Sequence, residues 1–248
     1  MELRDRVNEK DPSGTKKLED QRAEELDKDL DKAALLALKE SIGRGITDPV
    51  EVQRVVDVHL SGFADSSKAK VMDWIQDTYA RSAGKAEKMV TGSRQRVNIG
   101  VIMGPRGQLT DDQFKAISVG VGNDIESISV DAKKKLTRII TEGIENGEGQ
   151  AKVARRIKDE LGMVKNRAQT VARTETLNAY RAGAKSSYER NNVEEVEWYA
   201  ALDDRVCDEC AALHEKKFPI DDIPKVHGGT NINCRCIQLP VIKLGYRS

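Results

Sequence analysis

The sequence predicts a mainly α fold (α+β), with an extended helical N-terminal region followed by a small α+β C-terminal domain. Charged residues make up 33% of the 248 positions, apolar residues 38% and aromatic residues only 4%, whereas nearly half of an average globular protein is apolar. Apolar positions recur with helical spacing over most of the chain, and strand-like alternation is confined to two short stretches. These observations indicate long, solvated helices around thin cores, arranged as one or two modest domains.

Residues 1–17 are predicted to form a charged arm that is disordered or is ordered by a partner. The first 40 residues contain 21 charged side chains and no aromatic one, so little apolar surface is available to offset the entropy of ordering. From residue 18 to 42, apolar residues recur every four or eight positions, until Gly43 and Gly45 end the pattern. This spacing predicts an exposed amphipathic helix.

Two further helices are predicted within the helical region of residues 18–90. Asp48 is a helix cap, Pro49 takes the first helical position, and Glu51 completes a capping box for a short helix that ends near Leu60. Residues 68–90 then form another helix, with apolar side chains on one face.

Residues 91–130 are predicted to be a strand or loop followed by a connecting helix. Apolar residues occupy every second position over 97–101, and the turn-forming sequence at 104–107 ends this alternation. Thr110 and Gln113 form a second capping box, which opens a helix.

Residues 131–248 are predicted to form the α+β domain. Helical spacing continues to Ile144 and returns over residues 151–161 and 165–190, and alanines line one face of the last helix. Residues 196–202 then alternate in the manner of a half-buried strand, and the cysteines begin where this strand ends.

All four cysteines lie in the last fifty residues, with the spacing of metal ligands. Cys207 and Cys210 form a two-residue knuckle, Cys234 and Cys236 return farther along the chain, and His227 lies between the two pairs. Zinc takes four such ligands tetrahedrally. The first three cysteines are predicted ligands, with either Cys236 or His227 as the fourth. Because ligation substitutes for an apolar core in so small a unit, the Zn²⁺ is predicted to be structural.

The cysteine spacing alone leaves other states open. The thiols could be buried and reduced without metal, or they could form one or two disulfides. Four cysteines in 248 residues are unlike the density of a secreted disulfide scaffold, which favours a reducing cytoplasm. His214 is either a competing ligand or an ordinary surface histidine, and His59 is assigned no role.

The sequence contains no familiar signature of catalysis. We find no GxxxxGK[ST] phosphate loop, HExxH pair, zinc-deaminase pattern or GxSxG nucleophile elbow. Adjacent aspartates beside Arg205 are typical of a turn rather than of a nuclease site. We therefore expect no enzymatic activity. The longest apolar run has six residues, from Ala33 to Leu38, so neither a membrane span nor a secretory signal is expected.

Charge in the second half of the chain suggests a contact with nucleic acid. Residues 131–190 carry 14 basic and 8 acidic side chains. This excess of positive charge could bind the phosphate backbone of a nucleic acid without sequence specificity. A solvated helix face is the alternative. The candidate DNA contacts are Lys133, Lys134, Lys135, Arg155 and Arg156.

A second polar group is predicted to stabilise the fold rather than to act on a substrate. It lies partly within the alanine-rich helix and partly beside the first cysteine knuckle. Its members are Arg173, Thr174, Glu175, Asp204 and Arg205.

The stretch from Ile140 to Pro240 resembles the phage Mu protein F-like family of minor head, or head morphogenesis, proteins of tailed bacteriophages. The family pattern reads, in order, an "EG", an "ARTE" helix, a strand with Trp, a D-x-R-x-C-x-x-C knuckle, and a His followed by C-R-C. This sequence supplies all of these features in the same order, although six residues separate its His227 from Cys234. The matching residues are Glu148-Gly149, Ala172 to Glu175, Trp198, Asp203 or Asp204 with Arg205, Cys207, Cys210, His227, Cys234, Arg235 and Cys236.

The resemblance implies a virion protein of few copies at the portal vertex or capsid interior, present in the host cytoplasm during assembly. Its expected roles are head assembly, DNA packaging or DNA delivery, and its expected partners are portal, major capsid or scaffold proteins and, without sequence specificity, phage DNA. Several copies around the portal and attachment through residues 18–90 are expected, with no membrane partner. The alternative is a nucleic-acid-binding zinc-knuckle protein, such as a regulator or recombination accessory factor; a phage-borne nuclease or toxin would need a polar site that the sequence lacks.

Overall fold

The computed structural model describes residues 8, 10–95, 109–226 and 232–242 of the chain. Within these ranges the protein has six helices and three short strands, which confirms the predicted α+β class. The helices are α1 (Lys16–Gly43), α2 (Pro49–Gln95), α3 (Asp111–Glu145), α4 (Gln150–Glu160), α5 (Gly162–Arg190) and α6 (Asp208–Leu213). The strands are β1 (Glu195–Tyr199), β2 (Lys217–Pro219) and β3 (Ile237–Val241).

Helix α2 corrects the prediction of two helices between residues 48 and 90. The interval between the two predicted helices contains no proline, and Phe63, Ala64 and Ser67 within it are buried. The buried face of the helix thus continues through this interval, and one helix of 47 residues forms instead of two. The strand predicted over 97–101 and the turn at 104–107 lie outside the described residues.

The described chain divides into two compact units, each discontinuous in sequence. Unit 1 comprises residues 1–19, 73–114 and 174–248, and unit 2 comprises residues 20–72 and 115–173. Helices α2 and α5 contribute residues to both units, so neither unit follows the consecutive segments of the sequence-based division. Among the described residues, no helix combines the length and the apolarity needed to cross a membrane.

The described part of unit 2 is helical, and polar pairs join α1 to the first half of α5. Buried apolar residues such as Leu30, Leu60 and Leu136 form its core. Lys165 Nζ donates to Asp31 Oδ2 at 2.6 Å, and Gln169 Nε2 donates to Asp27 Oδ2 at 2.7 Å. The residue number rises along α5 from the first pair to the second while it falls along α1, so these two segments run antiparallel.

Unit 1 contains the three-stranded antiparallel sheet, in the order β2-β1-β3. In the longer pairing, Glu195 lies opposite Val241 and Tyr199 opposite Ile237. Strand β1 forms where a strand is predicted, but every residue from Val196 to Tyr199 is buried. Both faces of the strand are therefore covered, and the prediction of a half-buried strand was wrong. Strands β2 and β3 and helix α6 were not predicted, because three to six residues are too few to show a clear period.

Within the predicted arm, residues 11–15 form a turn before α1. Asp11 Oδ1 accepts hydrogen bonds from the backbone N–H groups of Gly14 at 3.0 Å and Thr15 at 3.2 Å. Lys85 of α2 donates to the carbonyl of Ser13 at 3.0 Å. Such side-chain-to-backbone bonds order a polar segment that composition alone predicts to be disordered. Residues 1–7 and 9 of the arm lie outside the described residues.

Candidate metal centre

Two short segments of unit 1 carry the four cysteines. Cys207 is the N-cap of α6, and its Sγ accepts a hydrogen bond from the backbone N–H of Cys210 at 3.3 Å. Cys234 and Cys236 stand immediately before β3. Helix capping therefore fixes the spacing within the first pair, and the strand fixes the position of the second.

The structure brings three of the thiols together in a buried cluster. The Sγ atoms of Cys210, Cys234 and Cys236 all lie within 4.8 Å of one another, and all three residues are buried. The Sγ atoms of Cys210 and Cys234 are 3.7 Å apart. Ligands about 2.3 Å from a tetrahedral zinc ion are separated by about 3.8 Å, so this spacing suits zinc.

Cys207 lines the same cavity as the three clustered cysteines. The cavity has a volume of about 130 Å³ and also includes Val206 and Ile232 in its lining. All four cysteines are free thiols in this structure. The donor set therefore fits a metal that prefers sulfur, and His227 lies outside the described residues.

A turn at Asn233 leads into the C-R-C sequence that carries the second cysteine pair. Asn233 has a φ of 52°, in the left-handed region that asparagine tolerates better than most residues. The chain turns there, and Cys234 to Cys236 form no regular strand. The Sγ atoms of Cys234 and Cys236 lie within 4.8 Å of each other, so the separation of thiols expected in an extended chain does not occur here.

One face of α5 holds the segment that carries the second cysteine pair. The backbone N–H of Asn233 donates to Thr174 Oγ1 at 3.1 Å. Arg181 donates through Nε to the carbonyl of Cys236 at 3.0 Å and through Nη2 to the carbonyl of Cys234. These α5 residues are seven apart, two helical turns, so they share a face.

The same face of α5 also contacts strand β3. The Tyr188 hydroxyl, seven residues after Arg181, donates to the carbonyl of Gln238 at 3.1 Å. The sequence analysis identified Thr174 as a network residue but missed Arg181 and Tyr188. Their seven-residue spacing was the available signal.

Asp203 forms ion pairs beside the cysteines with Arg235 and, at 3.6 Å, with Arg205. Of the predicted pair Asp204 and Arg205, Arg205 therefore takes part, and Asp203 stands in place of Asp204. Both guanidinium Nη atoms of Arg235 donate to the Asp203 carboxylate, and Nη2 lies 2.5 Å from Oδ1. Hydrogen bonds from Arg235 hold the pKa of Asp203 well below its usual range. Asp204 and Arg205 are exposed, although Arg205 donates its backbone N–H to Asp203.

The remaining network residues lie elsewhere. Arg173 pairs with Asp20 of α1 at 3.4 Å within unit 2, and Glu175 is half-buried on α5. Arg173, Thr174 and Arg205 therefore contact different partners.

The thiols of the cluster differ in acidity. A hydrogen bond from the Cys236 side chain, with the positive charge of Arg181, lowers the pKa of Cys234 to about 5 despite its burial. Burial raises the pKa of Cys210, and the hydrogen bond with Cys234 raises the pKa of Cys236. Because thiols bind metal as thiolates, metal binding at this cluster would release the protons of the buried thiols.

His214 contacts the end of strand β1 and the residue that follows it. Its Nδ1 accepts a hydrogen bond from the backbone N–H of Ala200 at 3.2 Å, and its ring meets the ring of Tyr199 edge-on. This position favours the reading of His214 as a structural histidine over that of a competing ligand.

Four of the five candidate DNA contacts have partners within unit 2, and one of them, Arg155, donates through Nε to the carbonyl of Ala151 at 3.3 Å. Lys133 donates to Ser61 Oγ, Lys135 donates to the carbonyl of Glu160, and Arg156 pairs with Glu142 and Glu148. Lys134 and Arg155 are exposed. Lys133, Lys135 and Arg156 thus already have polar partners on other segments of unit 2: a hydroxyl, a carbonyl and two carboxylates.

The cysteine cavity, the small sheet and the supporting face of α5 define the class of protein as a helical α+β chain with a thiol-rich candidate metal centre. Residues 134–239 match the family described as Phage Mu protein F like protein, and this segment contains the whole centre. The match confirms the resemblance seen in the sequence pattern.

A relative described as an uncharacterized protein occurs in Haemophilus influenzae (strain ATCC 51907 / DSM 11121 / KW20 / Rd). The two chains are 26% identical over 133 residues, which cover 53% of this chain and 30% of the relative. The chain thus spans about 30% of the length of this relative. No solved structure matches the chain.

Proposed function

We propose that this chain is a minor capsid protein of a tailed phage that acts in head assembly, DNA packaging or DNA delivery. It assembles in the host cytoplasm and resides in the virion, at the portal vertex or the capsid interior. The observation that carries the proposal is the family match over residues 134–239, which includes every cysteine of the centre. The proposed role involves no catalytic step.

Within this proposal, a structural Zn²⁺ joins the two cysteine segments of unit 1. Cys207, Cys210, Cys234 and Cys236 hold it, since all four line one cavity and two sulfur atoms already have the separation of tetrahedral zinc ligands. Zinc would link α6 to the segment before β3, beside an apolar cluster that includes Trp198, Val226 and Phe218. The ion would stabilise unit 1 in place of a larger core.

Metal analysis of protein purified without chelator tests this part of the proposal. We expect one zinc per chain and its loss in the Cys234→Ser variant. The His214→Gln variant is the matched control. It removes the histidine that was considered as a competing ligand, and it should keep the zinc. A wild-type zinc content near zero, with four titratable thiols in a folded protein, would contradict the proposal.

The helical region before residue 90 is proposed to attach the protein, in several copies, to a portal, major capsid or scaffold protein. Support comes from α1, where Leu35 and Leu36 are 50% and 43% exposed. Adjacent exposed leucines are unusual on a charge-rich helix and are typical of a contact surface.

Full-length variants test the attachment without removing any helix. Leu35→Glu with Leu36→Glu should reduce recovery of the portal protein in a pull-down and reduce the amount of chain in purified heads. Val119→Glu on α3 is the control, because Val119 is 59% exposed and lies outside the proposed attachment region. Equal recovery by both variants would place the attachment elsewhere.

Duplex DNA is proposed as a weak, sequence-independent partner. The regulator alternative gains no support from the centre, since Asp208 and Glu209 are exposed in the first turn of α6, beside Cys207. Acidic side chains at that position disfavour contact with phosphates.

A further inference from the structure

Arg181 contacts the backbone of both cysteines that precede β3. Its Nε donates to the carbonyl of Cys236, its Nη2 donates to the carbonyl of Cys234, and its Nη1 donates to Asn178 Oδ1 at 2.9 Å. One guanidinium therefore spans the two ends of the C-R-C sequence and is itself held by an amide on the preceding turn of α5. These contacts fix the spacing between Cys234 and Cys236.

The charge of Arg181 is not neutralised by an acid among the described residues. Its hydrogen bonds go to two carbonyl oxygens and one amide oxygen, and no carboxylate pairs with it there. Arg235 and Arg205, the two arginines that line the cysteine cavity, are both paired with Asp203. Arg181 is thus the nearby cation whose charge remains available to the cysteine centre.

Four thiolates around one divalent ion leave the centre with two negative charges. A negative centre in a partly buried cavity is stabilised by a fixed cation nearby, because Coulomb interactions are stronger there than in water. Groups outside the ligand shell that orient ligands and tune their charge typically change metal affinity by about 10- to 100-fold. Arg181 is placed to do both.

We propose that Arg181 is the positioning residue of the metal centre, which holds Cys234 and Cys236 in register and offsets the negative charge of the bound thiolates. This inference rests on the proposed four-cysteine centre. It makes metal affinity depend on a residue of α5 that is 26 and 53 residues away in sequence from the nearest cysteine of each pair. Metal binding and the docking of α5 onto the sheet are then coupled.

The experiment compares Arg181→Met, Arg181→Lys and Tyr188→Phe in the full-length chain. Zn²⁺ affinity is measured by competition with a chelator of known affinity, and Co²⁺ absorption reports the number of thiolate ligands. Tyr188→Phe is the matched control, since it removes a neighbouring hydrogen bond of the same α5 face without touching a cysteine carbonyl. Urea unfolding of each metal-free variant measures the purely structural effect.

We expect Arg181→Met to weaken Zn²⁺ binding by at least about tenfold, Arg181→Lys to restore part of the loss through its charge, and Tyr188→Phe to keep the wild-type affinity. Unchanged affinity in Arg181→Met, or an equal loss in Tyr188→Phe, would overturn the role of Arg181 alone. If Arg181→Met does not fold, Arg181→Lys decides, because wild-type affinity in that variant with its altered hydrogen-bond geometry would overturn the positioning role. A wild-type chain that binds neither metal would overturn the four-cysteine centre itself.

Discussion

The Gly183→Ala substitution tests how closely α5 approaches α2 in unit 1. A Cβ atom at Gly183 would lie 2.2 Å from Ser82 Oγ and 2.3 Å from the carbonyl oxygen of Tyr79. Ser82 Oγ also donates to the carbonyl of Tyr180 at 2.7 Å, so it cannot turn away without losing that bond. The carbonyl of Tyr79 belongs to the helix backbone, and relief of the clash requires the two helices to separate.

The size of the effect follows from two opposing contributions. Overpacking typically costs about 1–3 kcal/mol, and a clash with backbone belongs at the upper end of that range. Alanine in place of glycine within a helix raises the free energy of unfolding by about 1 kcal/mol. We therefore expect a net loss of about 2 kcal/mol in the free energy of unfolding, or a fall of about 4–8 °C in Tm for a chain of this size.

Urea unfolding of full-length Gly183→Ala, beside Gly84→Ala as control, measures this loss. Gly84 lies in α2, and a Cβ there would meet no atom within 4 Å, so Gly84→Ala should gain up to about 1 kcal/mol. Equal stability of the two variants would refute the close approach of the helices at Gly183.

Three further predictions concern a buried hydroxyl, an ion pair and DNA. Tyr188→Phe should lower the free energy of unfolding by about 1 kcal/mol, because the carbonyl of Gln238 loses a buried donor; an unchanged urea midpoint would argue against that bond. Hydrogen bonds from Arg156 lower the pKa of Glu142, so their contribution to stability is complete above the ordinary pKa of about 4.3 and is lost as the pH falls through the lowered value. Acid titrations of stability should accordingly be shallower for Arg156→Gln than for wild type, and identical curves would contradict this. Filter binding of random duplex DNA should vanish between about 50 and 200 mM salt and weaken in Lys134→Glu, whereas salt-resistant, sequence-selective binding would favour a regulator.

The helices were largely predictable because their signals are local. Gly43 and Gly45 mark the end of α1, and Asp48 with Pro49 marks the start of α2, within one or two residues of the observed bounds. The break predicted within α2 was wrong, because a serine- and glycine-containing stretch remains helical when Phe63 and Ser67 are buried. Such burial is a tertiary effect, and no local pattern reports it.

By itself, the sequence determined the α+β class, the family resemblance and the four cysteines as candidate ligands, since each depends on residue type and short spacing. Only the tertiary structure decided that Cys236 joins Cys210 and Cys234, that Asp203 rather than Asp204 meets Arg235, and that Arg181 supports the centre. These contacts join residues more than 20 positions apart. Their formation depends on how α5 packs against the turn at Asn233, and periodicity along the chain carries no information about such packing.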